Sequence, residues 1–230
     1  MNWSEHNLVK NGDVVSVLPW QEFDWLKQGY TLASAGNIDY RFGDASAARK
    51  QVADSLHMNV SCWTSMQQVH GSHVEIVEQK DVGKGASSFE SGFSDTDAMI
   101  SGEQNALLTV AVADCVPLLF VDPIKRLVAV AHAGRRGTFA GVAQKTLYQM
   151  VKHGSRAQDV QVAIGPSIGP CCYMFDDEPL DLWSLNEQQL RQGGVQTIIR
   201  MDLCTKHTDY FFSHQRDPRV GRFAGFTGIT

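Results

Sequence analysis

The segment from residue 97 to residue 164 constrains the fold more than any other part of the chain. Short apolar runs, Asp97–Ile100, Ala106–Ala113, Pro117–Val121, Leu127–Ala131 and Val160–Ile164, follow one another along it. Each is too short for a helix and carries little charge, so each reads as a buried strand. Residues 59–63 and 73–78 read as further strands, and Lys80–Phe93, rich in Gly, Ser and charge, as an exposed loop. Helices are predicted over residues 45–57, where Ala48, Val52 and Leu56 recur every four positions, over Gly141–His153 and over Leu182–Gln192. Gly154 and Gly193-Gly194 stop the last two. Strands outnumber helices and do not alternate strictly with them. The expected fold class is α+β (mixed α/β), with mixed β-sheets flanked by helices. No boundary or linker divides the chain, so residues 1–230 are expected to form a single layered domain.

Charge and cysteine usage exclude several function classes. The formal net charge is −5, with no basic arm or basic–aromatic patch, which argues against nucleic acid as a partner. The first residues, M-N-W-S-E-H-N-L-V-K-N-G, lack the basic start and apolar stretch of a secretory signal. Asp114 and Pro117 interrupt the longest apolar runs, so no membrane span is expected. Five cysteines, an odd number in a chain this size, fit reduced thiols and a cytoplasmic location.

The reactive side chains fall at the ends of apolar runs. His70 closes Q-Q-V-H-G, Cys115 closes L-T-V-A-V-A-D-C, and His132 closes L-V-A-V-A-H-A-G. Strands deliver side chains to a sheet rim in this way, and imidazole and thiolate are donors that zinc prefers. Three protein ligands with a fourth position open describe a catalytic zinc rather than a structural one. Spacing alone supports the triad loosely, since neither C-x-x-C nor H-E-x-x-H occurs. His6, His57 and His153 read as ordinary structural histidines, and His73 as solvent-facing or as support for the site. Asp114, beside Cys115, is costly to bury unless bonded, and could orient an imidazole. The stretch A-I-G-P-S-I-G-P-C-C-Y (163–173) reads as a rigid turn whose N–H groups could meet an anion. Arginines suit phosphate because the planar guanidinium reaches two oxygens at once. Arg135, Arg136, Arg216 and Arg222 are the candidates near the predicted rim.

Taken together, these segments resemble the laccase-domain family of zinc-binding proteins, also described as purine nucleoside phosphorylases and as polyphenol oxidases. The resemblance rests on Q-V-H-G (68–71), D-T-D-A-M-I-S (95–101), V-A-D-C-V-P-L-L-F-V-D-P (112–123) and A-H-A-G-x-R-G (131–137). I-G-P-S-I-G-P-x-C-Y (164–173), C-T (204–205) and F-F-S-H-Q-R-D (211–217) complete it. S-A-G-N-I-D-Y-R-F-G-D, which contains Arg41, is a weaker match to the family's glycine-rich opening segment. The resemblance implies a layered fold like that of a toxin deamidase, with His70, Cys115 and His132 as zinc ligands. Cys115, His70, His132 and Asp114 are then expected in catalysis, and Asp97, Arg136, Arg216 and Arg41 against substrate. The implied activity is that of a transferase, splitting adenosine, inosine or guanosine with phosphate into free base and ribose 1-phosphate. Hydrolytic adenosine deaminase and methylthioadenosine phosphorylase side activities are implied as well. The chain departs from the family pattern at Arg135, where tryptophan is usual, and at His214-Gln215-Arg216, where Y-R-R is usual.

Two other enzyme classes compete with the phosphorylase. Copper-dependent oxidation of phenols would need dense H-x-H and H-C-H clusters, and the eight histidines here are scattered. A metal-free Cys-His hydrolase would use Cys115 as its nucleophile. A binding module stabilised by zinc is the non-enzymatic alternative. The expected partners are a purine nucleoside and phosphate, with no membrane and no nucleic acid.

Overall fold

Residues 1–230 are all described by the structure, a computed structural model. Its strands are, first, β1 (Leu8–Asn11), β2 (Val14–Val17), β3 (Leu26–Thr31), β4 (Trp63–Thr64), β5 (Val74–Ile76), β6 (Ala98–Ser101) and β7 (Leu107–Val112). There follow β8 (Val116–Asp122), β9 (Leu127–Ala133), β10 (Gln161–Ile164), β11 (Met174–Phe175), β12 (Glu178–Pro179), β13 (Thr197–Arg200) and β14 (Phe223–Ile229). The helices are α1 (Ser46–Ser55), α2 (Arg135–Phe139), α3 (Val142–Lys152) and α4 (Leu182–Gln192).

Two six-stranded sheets, ordered β1-β2-β3-β14-β7-β4 and β13-β10-β8-β9-β6-β5, stack face to face, and β11 and β12 form a small ribbon. Both large sheets are mixed. The β4–β7, β5–β6 and β10–β13 pairs are parallel and the other pairs antiparallel. The expected α+β class, with mixed sheets flanked by helices, is what the chain adopts.

Strand β8 shows why the central runs carry so little polarity. Leu119 and Val121 point into the core between the sheets, with Tyr30, Val110 and Phe223 of the first sheet. Val116, Leu118 and Phe120 point the other way, against Val142, Leu147 and Met150 of α3 and Leu190 of α4. A strand covered on both faces has no solvent side on which to place polar residues. On the far side of the first sheet, α1 covers Trp63, Leu107 and Phe226 through Val52. Helix α1 also buries Arg49, whose guanidinium donates to the carbonyls of Ile38, Gly85 and Ala86 and so ties two loops together. The result is a four-layer stack, helix–sheet–sheet–helix. No helix is long and apolar enough to cross a membrane.

One local expectation differs from the structure. Residues 59–63 form mainly a single 3-10 turn, Val60–Cys62, and only Trp63–Thr64 pair as a strand. The hydroxyl of buried Tyr30 has no hydrogen-bond partner. Tyr30→Phe is therefore expected to leave thermal stability unchanged or raise it, because an unmet buried hydroxyl only costs desolvation. Phe120→Ala, which empties a fully buried site, should cost about 3–5 kcal/mol in denaturant unfolding.

Candidate active site

Asp97, just before β6, organises one side of the site. Its carboxylate is fully buried and accepts backbone N–H bonds from Val69 at 3.2 Å, His70 at 2.9 Å and Gly71 at 2.6 Å. Three consecutive amides can converge on one carboxylate because His70 adopts a left-handed conformation, φ +61°. The same carboxylate takes a 2.8 Å hydrogen bond from Nδ1 of His132, leaving Nε2 free to face the site. Gln68 fastens the turn to the sheet: its amide oxygen accepts from Ala111 N and its nitrogen donates to Ala111 O, both at 2.8 Å.

Cys115 comes from a different device. Strand β7 belongs to the first sheet and β8 to the second, and Ala113, Asp114 and Cys115 carry the chain across. Asp114 sits at φ +86°, a strained conformation for a residue with a Cβ. Three loops hold it there. Its carboxylate accepts from the Thr205 hydroxyl at 2.6 Å and the Gln215 N–H at 2.7 Å, and its carbonyl from the Ile168 N–H at 2.9 Å. Asp114 thus orients no imidazole. That role falls to Asp97, and Asp114 instead anchors the loops around Cys115.

The three predicted ligands do come together: the donor atoms of His70, Cys115 and His132 lie within 4.8 Å of one another. They do not share one kind of position, however. His70 lies in an irregular turn, Cys115 in the sheet-to-sheet crossing, and His132 within β9 opposite Pro117. Gly134 closes the floor. A Cβ built there would stand 2.9 Å from Cys115 Sγ and 3.0 Å from His70 Cδ2, so only glycine leaves the three donors in place.

Burial alone would push the Cys115 thiol up, but the charge and hydrogen bonds of His132 and His70 outweigh it and hold it down, at about 6. Burial alone would push His132 down, but the Cys115 thiolate and Asp97 outweigh it and raise it to about 9. Asp97 behaves alike: burial raises it, and the His132 proton with the Gly71 and Val69 amides brings it below the ordinary carboxylate range. Cys115 and His132 thus form a thiolate–imidazolium pair near neutral pH. The donor set, the glycine floor and the carboxylate behind His132 fit a bound metal ion, with Cys115 Sγ, His132 Nε2 and His70 as ligands.

Two cavities meet at this cluster and share Ala113, Cys115 and His214. The larger, about 280 Å³, is lined by Arg41, Arg222, Phe42 and all three donor residues. The smaller, about 140 Å³, is lined by Tyr173, Ile168, Leu182 and Arg135. The predicted arginines are placed unequally. Arg41 reaches the larger cavity while bonded to Asp39 at 2.6 Å. Arg136 donates to Val69 O and braces the His70 turn. Arg216 spends its guanidinium on the carbonyls of Thr205, Thr208 and Phe211, so it stitches a loop and lines neither cavity. Arg222 lies over the Phe42 ring at 3.8 Å, lines the larger cavity and is in no ion pair, although one guanidinium nitrogen donates to the carbonyls of Val220 and Gly221. The 163–173 stretch offers no anion cradle, because the amides of Gly165, Ser167, Ile168, Cys172 and Tyr173 donate to carbonyls and that of Gly169 to Cys204 Sγ. His214 was not singled out as a site residue from sequence; a lone histidine after two phenylalanines gives no signal until Asp114 pins the neighbouring amide.

The model of a family described as multi-copper polyphenol oxidoreductase laccase matches residues 31–180 and 177–230. The chain belongs to this family. A relative in Bacillus subtilis, named purine nucleoside phosphorylase YlmD, is 34% identical over 99% of this chain and 92% of its own. A relative of the same name in Geobacillus stearothermophilus is 36% identical over 78% of this chain and 77% of its own. The solved structure of YlmD from Geobacillus stearothermophilus superposes with a TM-score of 0.90 at 29% identity, covering 97% of this chain and 98% of that one. A Bacillus licheniformis hypothetical protein YfiH superposes equally well, at 27% identity over 97% of this chain and 99% of that one.

Two measurements check the site. Between pH 6 and pH 9 the free pair keeps Cys115 as thiolate and His132 protonated, so metal must displace the His132 proton. Apparent metal affinity in chelator competition should rise with pH across that window, by about tenfold per unit from this pair, and flatten above it. Gly134→Ala should keep a native circular dichroism spectrum yet lose at least about tenfold in metal affinity.

Proposed function

We propose that this chain is a zinc-dependent purine nucleoside phosphorylase, converting adenosine, inosine or guanosine and phosphate to free base and ribose 1-phosphate. The observation that carries the reading is the pair of cavities sharing Cys115 and His214, one flanked by Arg41 and Arg222 and the other walled by Tyr173, Ile168 and Leu182 with Arg135 at its edge. Phosphorolysis needs an anion held against the anomeric carbon while an aromatic base leaves from the opposite side. The larger cavity suits the anion, with Arg222 and Arg41 donating to its oxygens. The smaller cavity suits the base, with Tyr173 as a stacking surface and Ile168 and Leu182 as apolar walls. His214, which lines both cavities, would carry a proton to a nitrogen of the departing base.

Zinc, when bound, supplies a Lewis acid that stabilises negative charge on a substrate oxygen. His70, Cys115 and His132 hold it, Asp97 fixes the ring of His132, and Asp114 keeps Cys115 and the His214 loop at the rim. Copper chemistry of the kind in the family's description finds less support. The larger cavity has no methionine among its lining residues, and Gln68, a potential weak axial ligand, gives its amide to Ala111. The thiolate–imidazolium pair also suits a metal-free Cys-His hydrolase, but that reaction has no use for His70 as a third donor.

The test is release of free base from adenosine and inosine by protein of known zinc content, with and without phosphate. Release that requires phosphate and follows zinc occupancy is expected. Arg222→Ala should raise the KM for phosphate by about ten- to a hundredfold, the worth of one charge-assisted hydrogen bond. Base release indifferent to phosphate, or no release from zinc-loaded protein, would overturn the reading.

A further inference from the structure

A second group of metal-seeking side chains lies outside this site and shares no residue with it. The donor atoms of Cys171, Cys172, Cys204 and His207 lie within 4.8 Å of one another. Cys172 Sγ is 3.0 Å from His207 Nε2, and Cys171 Sγ is 4.0 Å from His207 Nδ1. The four residues come from two segments that are already stitched together. Ser167 bridges to Cys204 in parallel register, Thr205 N donates to Ser167 O at 3.0 Å, and Gly169 N donates to Cys204 Sγ at 3.3 Å. Cys204 is buried, whereas Cys171 and His207 are exposed, so solvent reaches the cluster from one side.

We propose that Cys171, Cys172, Cys204 and His207 form a second, structural zinc site. Three thiolates and one imidazole are a donor set that zinc takes in closed tetrahedral sites, where adjacent donors stand about 3.5–3.8 Å apart given the usual zinc–sulfur and zinc–nitrogen lengths. Reaching that spacing requires small shifts of the exposed Cys171 and His207 side chains about the buried Cys204: the Cys172–His207 pair opens from 3.0 Å and the wider separations, up to 4.8 Å, close in. Four protein ligands leave no position open for substrate, which makes the role mechanical. The site clamps the 165–173 loop to the 204–207 turn. Those two segments supply the Ile168 amide and the Thr205 hydroxyl that hold Asp114 in its strained conformation. The clamp thereby stiffens the rim that presents Cys115. Nothing in this inference depends on which reaction the first site performs.

The experiment counts zinc by elemental analysis and native mass spectrometry on full-length protein, reconstituted with zinc under reducing conditions. Wild type should bind two zinc ions per chain, one in each site, and Cys115→Ala should retain one. The Cys171→Ser/His207→Ala double variant, altered only at exposed positions, should also retain one. Replacing zinc with cobalt gives a second readout. The double variant should lose most of the thiolate-to-cobalt absorption, since three of the four metal–thiolate bonds belong to this site. Wild-type zinc should also protect Cys171, Cys172 and Cys204 from alkylation. A single zinc lost completely in Cys115→Ala, with the other cysteines freely alkylated in zinc-loaded protein, would overturn the proposal. So would a disulfide joining Cys204 to Cys171 or Cys172 in protein kept under reducing conditions.

Discussion

The buried carboxylate of Asp97 is the interaction on which the rest of the site depends. It faces the His132 ring from one side and three amides of the His70 turn from the other. A carboxylate taken fully out of water is tolerated only when such partners replace its hydration. The arrangement fixes both histidines with a single group. His132 gains a defined tautomer, and His70 is held in a backbone conformation it would otherwise avoid. The His132 backbone N–H also donates to the carbonyl of Asp97 at 2.7 Å, so strand pairing and side-chain bonding reinforce the same register.

Cys115 reaches the histidines because the two sheets are joined at this rim by Ala113, Asp114 and Cys115 alone. So short a crossing demands strain, and the strain is concentrated at Asp114, where hydrogen bonds from three loops offset it. These loops also line the cavities. Tyr173 and Ile168 lie on one, His214 and Gln215 on another. The groups that shape the two cavities are thus the groups that hold the Cys115 sulfur in place. Arg216, engaged with three loop carbonyls, belongs to this scaffold, while Arg222, bonded to carbonyls through one nitrogen only, lines the larger cavity.

The central strands were legible because both their faces are buried, which leaves an almost uninterrupted apolar signature in β7, β8 and β9. Helix α4 was legible for a different reason, its apolar spacing followed by two glycines. The outer strands left less trace. Strand β14 carries Gly225 and Gly228, and a Cβ at Gly225 would stand 3.1 Å from Pro117 Cβ of the facing sheet. Close packing of the sheets erased the apolar residue that would have marked that strand. The ligand trio was legible as residue types at the ends of apolar runs, yet not the reason for their convergence. Asp97 and Asp114 each precede or follow an apolar run, and only their hydrogen-bond partners distinguish the one that orients His132 from the one that braces the crossing. Cys204 and His207 had no readable link to Cys171 and Cys172, because the pairing of Ser167 with Cys204 joins segments distant in sequence.

Asp97 is thus the organiser of the three donors, a role open to direct measurement. Its most direct test is the zinc affinity of Asp97→Asn, measured by chelator competition alongside thermal unfolding of the metal-free protein. The amide would present N–H hydrogens where the Val69–Gly71 turn and His132 need an acceptor. Zinc affinity at the His70–Cys115–His132 site should fall by about ten- to a hundredfold while the metal-free variant still unfolds cooperatively. Undiminished zinc affinity in a folded Asp97→Asn protein would contradict the account, because the three donors would then converge without the carboxylate that is argued to bring them together.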